Sequence, residues 1–106
     1  MYRDVILRAL DERRALHITY AGSAPRLVQP HAIVRKADGT EILEAYQLSG
    51  FSDSGPEHGW RTFEVSRIDF AESQTEAFEP RRDFRPVSGE SGIVIAQIRP
   101  DEAAEI

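Results

Sequence analysis

The sequence predicts a mainly β domain with one N-terminal helix, and three observations predict it. Residues 2–15 carry apolar side chains at helical spacing. From Leu16 onward the apolar period changes to two. Asp38-Gly39 then sits between two apolar-patterned runs, a strong local signal for a hairpin. A length of 106 residues fits one domain with one modest core.

In the helix, Val5 with Ala9 and Ile6 with Leu10 form i,i+4 pairs on one side. Arg3, Asp4, Arg8, Asp11 and Glu12 are left for solvent. A helix this short is marginal alone, so its apolar stripe is expected to dock on a sheet as a lid. Leu16, Ile18 and Tyr20 alternate with His17 and Thr19 as a first strand, and Ala21–Pro25 is a turn by composition. A long strand follows from about Arg26 to Lys36.

Asp38-Gly39 suits a two-residue type I′ turn, in which both central residues take positive φ. That register sets Val34 opposite Leu43, Ala32 opposite Ala45 and Pro30 opposite Gln47. With Val28, these positions would form the core face. The opposite face would carry Gln29, His31, Ile33 and Arg35 against Ile42, Glu44, Tyr46 and Leu48, with His31 facing Tyr46. Pro30 cannot donate to a ladder, so a bulge or strand edge is expected beside it.

Residues 49–59 are rich in turn formers. Trp60 opens the next strand, with Phe63 and Val65 inward and Arg61 and Arg67 emerging at rims or at a pocket mouth. Ile68 and Phe70 continue the apolar anchoring, and a short strand or turn leads to Phe78. Phe78–Pro86, interrupted by Pro80, is expected as an ordered wrap, and Ser88–Gly92 as a hinge. Residues 93–98 form a final strand, apolar on both parities, that is either covered on both sides or paired at an edge, where a partner subunit would fit. The expected organisation is a domain over 1–86 and an extension over 87–106 ending in a frayed acidic tail.

Composition narrows the chemistry. The chain has no cysteine, which removes disulfides, thiolate catalysis and Cys-ligated zinc. A net charge of -5 argues against non-specific coating of duplex nucleic acid, although Arg61, Arg67, Arg81, Arg82 and Arg85 gather in the second half as a local basic patch. His17, His31 and His58 are too scattered to serve as a metal site. Ser52, Asp53, Ser54 and His58 put nucleophile, acid and base types into one loop, but proximity in a loop is not an oriented triad. No catalytic residue, metal or cofactor is expected. The N-terminus lacks a secretory signal, and a cytoplasmic, soluble protein is the expectation.

Several segments follow one another in a telling order. They are Leu10-Asp11-Glu12-Arg13-Arg14 before Ile18-Thr19-Tyr20, then Arg26-Leu27-Val28-Gln29-Pro30-His31. Gly39 and Leu43-Glu44-Ala45-Tyr46 follow, and the last is Trp60 through Ile68 with its R-x-F-x-x-x-R-I pattern. Together they resemble the WYL domain, over roughly residues 5–84. The resemblance implies a small Sm-like/SH3-like barrel with an N-terminal helix, to which this chain adds a C-terminal strand. Such domains, found mainly in bacterial regulators, are regarded as sensors of nucleic acid or nucleotide-like ligands and usually follow a DNA-binding winged helix or helix-turn-helix. The chain departs from the family in two respects. The namesake Trp-Tyr-Leu position reads Glu41-Ile42-Leu43, and a short stand-alone member without the DNA-reading domain is expected.

The ligand-binding residues expected on these grounds are Arg26, Arg61 and Arg67, gripping phosphate or carboxylate. His31, Tyr46 and Tyr20 would add a stacking and hydrogen-bonding surface, with Arg35 and Gln29 beside them. The plainer alternative has Arg26 and Arg67 paired with Glu44, Glu64 or Asp69 as ties between strands, and Tyr46 satisfied by His31. The expected function is a regulatory sensor domain, acting in transcriptional regulation, that recognises a nucleotide-like or single-stranded nucleic-acid ligand. The alternative is a protein-interaction or homo-oligomerisation module with no small ligand. The partners this admits are a nucleotide or single strand, a second copy joined through 93–98, and a separate regulator protein, but no membrane.

Overall fold

A computed structural model describes residues 2–52, 55, 56, 58–87 and 92–98. Helix α1 spans Arg3–Glu12 and buries Ile6, Ala9 and Leu10. It ends because Arg13 turns left-handed, with φ 57° and ψ 49°, and its N–H caps the Ala9 and Leu10 carbonyls. The same turn lets β1 (Arg14–Tyr20) begin at once. Strands β2 (Arg26–Arg35) and β3 (Glu41–Gly50) form the long hairpin. After them come β4 (Gly59–Glu64), a 3-10 turn at Val65–Arg67, β5 (Ile68–Ala77) and β6 (Ile93–Gln97).

The strands pair antiparallel in the order β4-β3-β2-β1-β5. β1 covers only the first part of β2, and β6 pairs with the remainder, at Ala32–Arg35. The Sm-like/SH3-like barrel implied by the resemblance does not form. β4 and β5 end the pairing path without bonding to each other, so the sheet stays open. The 3-10 turn between them carries the chain from one end of the path to the other without a ladder. The short strand or turn expected after Phe70 is instead a ten-residue strand, β5.

The hairpin turn differs from the expected type. Lys36 N–H donates to the Thr40 carbonyl at 2.8 Å and Gly39 N–H to the Lys36 carbonyl at 2.9 Å. Ala37, Asp38 and Gly39 therefore form a three-residue loop, in which only Gly39 has positive φ, at 91°. The Asp38 carboxylate accepts from Thr40 N–H at 2.9 Å. The pairing moves by one residue, so Ile33 faces Leu43, Ala32 faces Glu44, and Gln29 faces Tyr46. The bulge anticipated beside Pro30 is present, with His31 unmatched between the Pro30–Ala45 and Ala32–Glu44 pairs.

Bulge and turn together rearrange the faces. The core collects Val28, Ile33, Leu43, Ala45 and Phe63 with Leu16, Ile18 and the helix. Ile33 thus belongs to the core instead of the opposite face. Ala32 and Val34 are buried as well. Ile98 completes the core at 3% exposure, so much of the C-terminal apolar run is used within the chain. Phe78–Val87 follows an irregular course, as a wrap should. Most of the Ser88–Gly92 segment and the tail beyond Ile98 lie outside the described residues.

Candidate functional site

Two clusters gather the candidate side chains. The first lies where β1, β2 and the 3-10 turn meet. Arg26 is buried, donating to Gln47 Oε1 at 3.3 Å and Ser23 Oγ at 3.2 Å. Its guanidinium carbon lies 5.9, 5.3 and 5.2 Å from the ring centroids of Tyr20, Phe51 and Phe63. Tyr20 packs edge-on against Phe63 at 5.0 Å, and its hydroxyl accepts from Glu64 N–H at 3.0 Å. Arg67 is exposed and lies over the same Tyr20 ring at 5.6 Å. The alternative ion pairs do not form for Arg67: it has no carboxylate partner among the described residues, and Asp69 accepts from Gly22 N–H instead.

The second cluster is built on the bulge. His31 is fully buried, contacting the rings of Trp60 at 4.9 Å, Phe78 at 5.4 Å and Phe84 at 5.0 Å. Its Nε2 accepts from Arg81 N–H at 3.1 Å, and Nδ1–H donates to the Gln29 carbonyl at 2.9 Å. Because a backbone N–H can only donate, Nε2 must carry the lone pair, and the ring is neutral. Burial pushes its pKa below the ordinary histidine value. The expected His31–Tyr46 pair is therefore not direct. Tyr46 meets Trp60 at 5.5 Å, and the Arg81 guanidinium covers Tyr46 at 3.5 Å.

Beside this cluster opens a cleft of about 340 Å³. Glu44, Trp60 and Thr62 come from β3 and β4, where Glu44 pairs with Thr62 and Tyr46 with Trp60. Asp83, Phe84 and Arg85 of the wrap and Arg61 of β4 complete the cleft lining. Trp60 Nε1 donates to Asp83 Oδ2 at 3.0 Å, which holds that carboxyl below its ordinary pKa. Glu44 has no hydrogen-bond or ion-pair partner among the described residues, and burial raises its pKa.

Arg61 reaches the cleft, but its donors serve the preceding loop. They bond the Trp60 carbonyl at 3.0 Å, Ser52 Oγ at 3.3 Å and the Pro56 carbonyl at 2.6 Å. Asp53 and Ser54 of that loop lie outside the described residues. Arg35 belongs to neither cluster; it shares Glu41 with Arg3, at 3.0 and 2.7 Å, tying helix to hairpin. Gln29 contributes its carbonyl to His31, while its Oε1 is buried without a partner among the described residues. The residues that sequence reasoning passed over are Glu44, Phe51, Arg81, Asp83 and Phe84. Arg81 stood out only as part of a basic run, and nothing local showed that the wrap would settle on Tyr46 and Trp60.

A family model for the WYL domain matches residues 2–73. This chain belongs to the WYL-domain family. No curated protein and no solved structure matches it. In this WYL domain the Glu41–Leu43 segment, expected at the namesake position, makes structural contacts: Leu43 lies in the core, and Glu41 forms the helix-to-hairpin clamp. Among the described residues no three His, Asp or Glu side chains gather as a metal site, and no helix is long and apolar enough to cross a membrane.

Proposed function

We propose that this WYL domain is a regulatory binding domain, acting in transcriptional regulation, whose basic, partly aromatic surface recognises a nucleotide-like or single-stranded nucleic-acid ligand. The observation that carries the reading is the exposed Arg67 guanidinium lying over Tyr20 without a carboxylate partner among the described residues. A guanidinium ordered on a ring keeps its N–H groups for phosphate and loses little further freedom on binding. Phe51, 36% exposed and packed against Arg26, offers a neighbouring platform for a base. Ser52 then leads to Arg61. The net acidity of the chain does not oppose this, because local charge governs a short ligand.

Labelled single-stranded oligonucleotides and mono- and dinucleotides, titrated at low and physiological salt, test the reading. Binding should weaken as salt rises. Arg67→Ala should weaken it roughly tenfold, the worth of one charge-assisted contact, and the Arg61→Ala/Arg67→Ala double variant should weaken it more. Absence of binding at high protein concentration, or binding unchanged in the double variant, would rule the ligand reading out.

One observation favours the oligomerisation alternative: Ile93, at the start of β6, is 63% exposed. If β6 joins two copies, light scattering should give a dimer mass that Ile93→Lys abolishes. A monomer mass in the unaltered protein removes that alternative.

A further inference from the structure

We propose that the cleft between β4 and the 81–87 wrap is a separate binding site for a guanine-type base, with Glu44 as the specificity residue and Arg85 as the phosphate contact. Asp83, Phe84 and Arg85, which wall the cleft, lie beyond the family-matched residues 2–73.

The chemistry is set by which groups are already engaged. Asp83 accepts from Trp60 Nε1 and lies 3.7 Å from Arg81 Nε, and Arg61 is held by the 52–56 loop and the Trp60 carbonyl. That leaves Glu44 as the unpartnered acid of the cleft and Arg85 as its unpartnered cation, among the described residues. An ionised carboxylate only accepts, and its two oxygens match two adjacent N–H donors on a planar ring. Guanine presents such a pair on its Watson–Crick edge. Adenine and cytosine place a ring-nitrogen lone pair against the carboxylate, and uracil offers a single N–H between two carbonyls. Trp60 and Phe84, 5.8 Å apart and tilted by 32°, supply an apolar wall for the ring. Arg85, exposed and part of the cleft lining, suits a phosphate.

Trp60 is the chain's only tryptophan, so its fluorescence reports on the cleft directly. GMP, guanosine, AMP, CMP, UMP and inorganic phosphate are each titrated against the full chain. GMP should change the Trp60 emission and bind at least tenfold tighter than the other three nucleotides. Glu44→Gln should lose at least tenfold of the GMP affinity, with its melting temperature confirming the fold. Arg85→Ala, an exposed change, should weaken GMP severalfold and leave guanosine unaffected. Equal binding of the four nucleotides, no change of emission at millimolar GMP, full affinity in Glu44→Gln, or phosphate competing as well as GMP would each overturn the proposal. An oligonucleotide that binds through Arg67 while GMP leaves Trp60 undisturbed would sustain the surface reading and refute this one.

Discussion

Replacing His31 with phenylalanine isolates what its two nitrogens do. The ring can still fill the space among Trp60, Phe78 and Phe84, so packing is largely kept. Two hydrogen bonds are lost, one at the Gln29 carbonyl and one at the Arg81 N–H, both in a partly buried setting. An unsatisfied group of this kind costs about 1–3 kcal/mol, and water reaching the wrap recovers part of it, so a net loss of about 2–3 kcal/mol follows. For a domain of this size that lowers the melting temperature by roughly 10–20 °C. Thermal melts followed by circular dichroism and by Trp60 fluorescence measure it. A His31→Phe protein melting within about 3 °C of the parent would refute the claim that these bonds anchor the wrap.

The same residue sets a pH dependence whose sign is fixed by its environment. Burial holds the folded imidazole below the ordinary value of 6.5, where the unfolded chain takes its proton. Between those two values the unfolded state binds more protons, so stability declines as pH falls below about 6.5. The decline attributable to His31 stops once the folded ring is itself protonated. His31→Phe should flatten this part of the profile. A parent protein equally stable on both sides of that window would contradict the neutral, buried assignment.

Two further substitutions test the frame. Gly50 has φ 106°, and a Cβ there would meet the Arg26 Cα at 2.5 Å and the Pro25 carbonyl at 2.6 Å. Gly50→Ala should therefore break the β2–β3 pairing near Arg26 and yield little folded protein. Gly39→Ala, with open space around it, should cost only about 1 kcal/mol of left-handed strain by urea denaturation. Just past β6, Ile98→Ala should lose about 2–4 kcal/mol by the same assay, because the side chain is 3% exposed in the core. Ile93→Ser should change stability by less than about 0.5 kcal/mol.

Legibility in the sequence followed the range of the interactions. Helix α1, the long strand β2 and the final strand depend on periodicity, which is local, and their bounds fall within a few residues of the expected ones. The bulge beside Pro30 was also foreseeable, because a residue without an N–H cannot continue a ladder. Sheet closure was not, since it turns on whether β4 and β5 meet, and nothing in either strand encodes that. Nor could the sequence show that Arg81 would cover Tyr46 or that Asp83 would take the Trp60 N–H, because these contacts join segments 35 and 23 residues apart through the wrap.

The turn shows most clearly how a small local ambiguity becomes a functional one. Asp-Gly serves a two-residue loop with both residues at positive φ, and equally a three-residue loop in which only the glycine is left-handed. The choice of the second moves the pairing by one residue and brings Ile33 opposite Leu43. That shift alone would separate Ile33 from Val28, which lies at the opposite parity of the same strand. The unmatched His31 restores both to one core and is itself buried beneath the wrap. A histidine expected to meet a ligand thereby becomes the anchor of the segment that walls the cleft, and Glu44, expected only as a strand tie, is left as the acid within it that has no partner among the described residues.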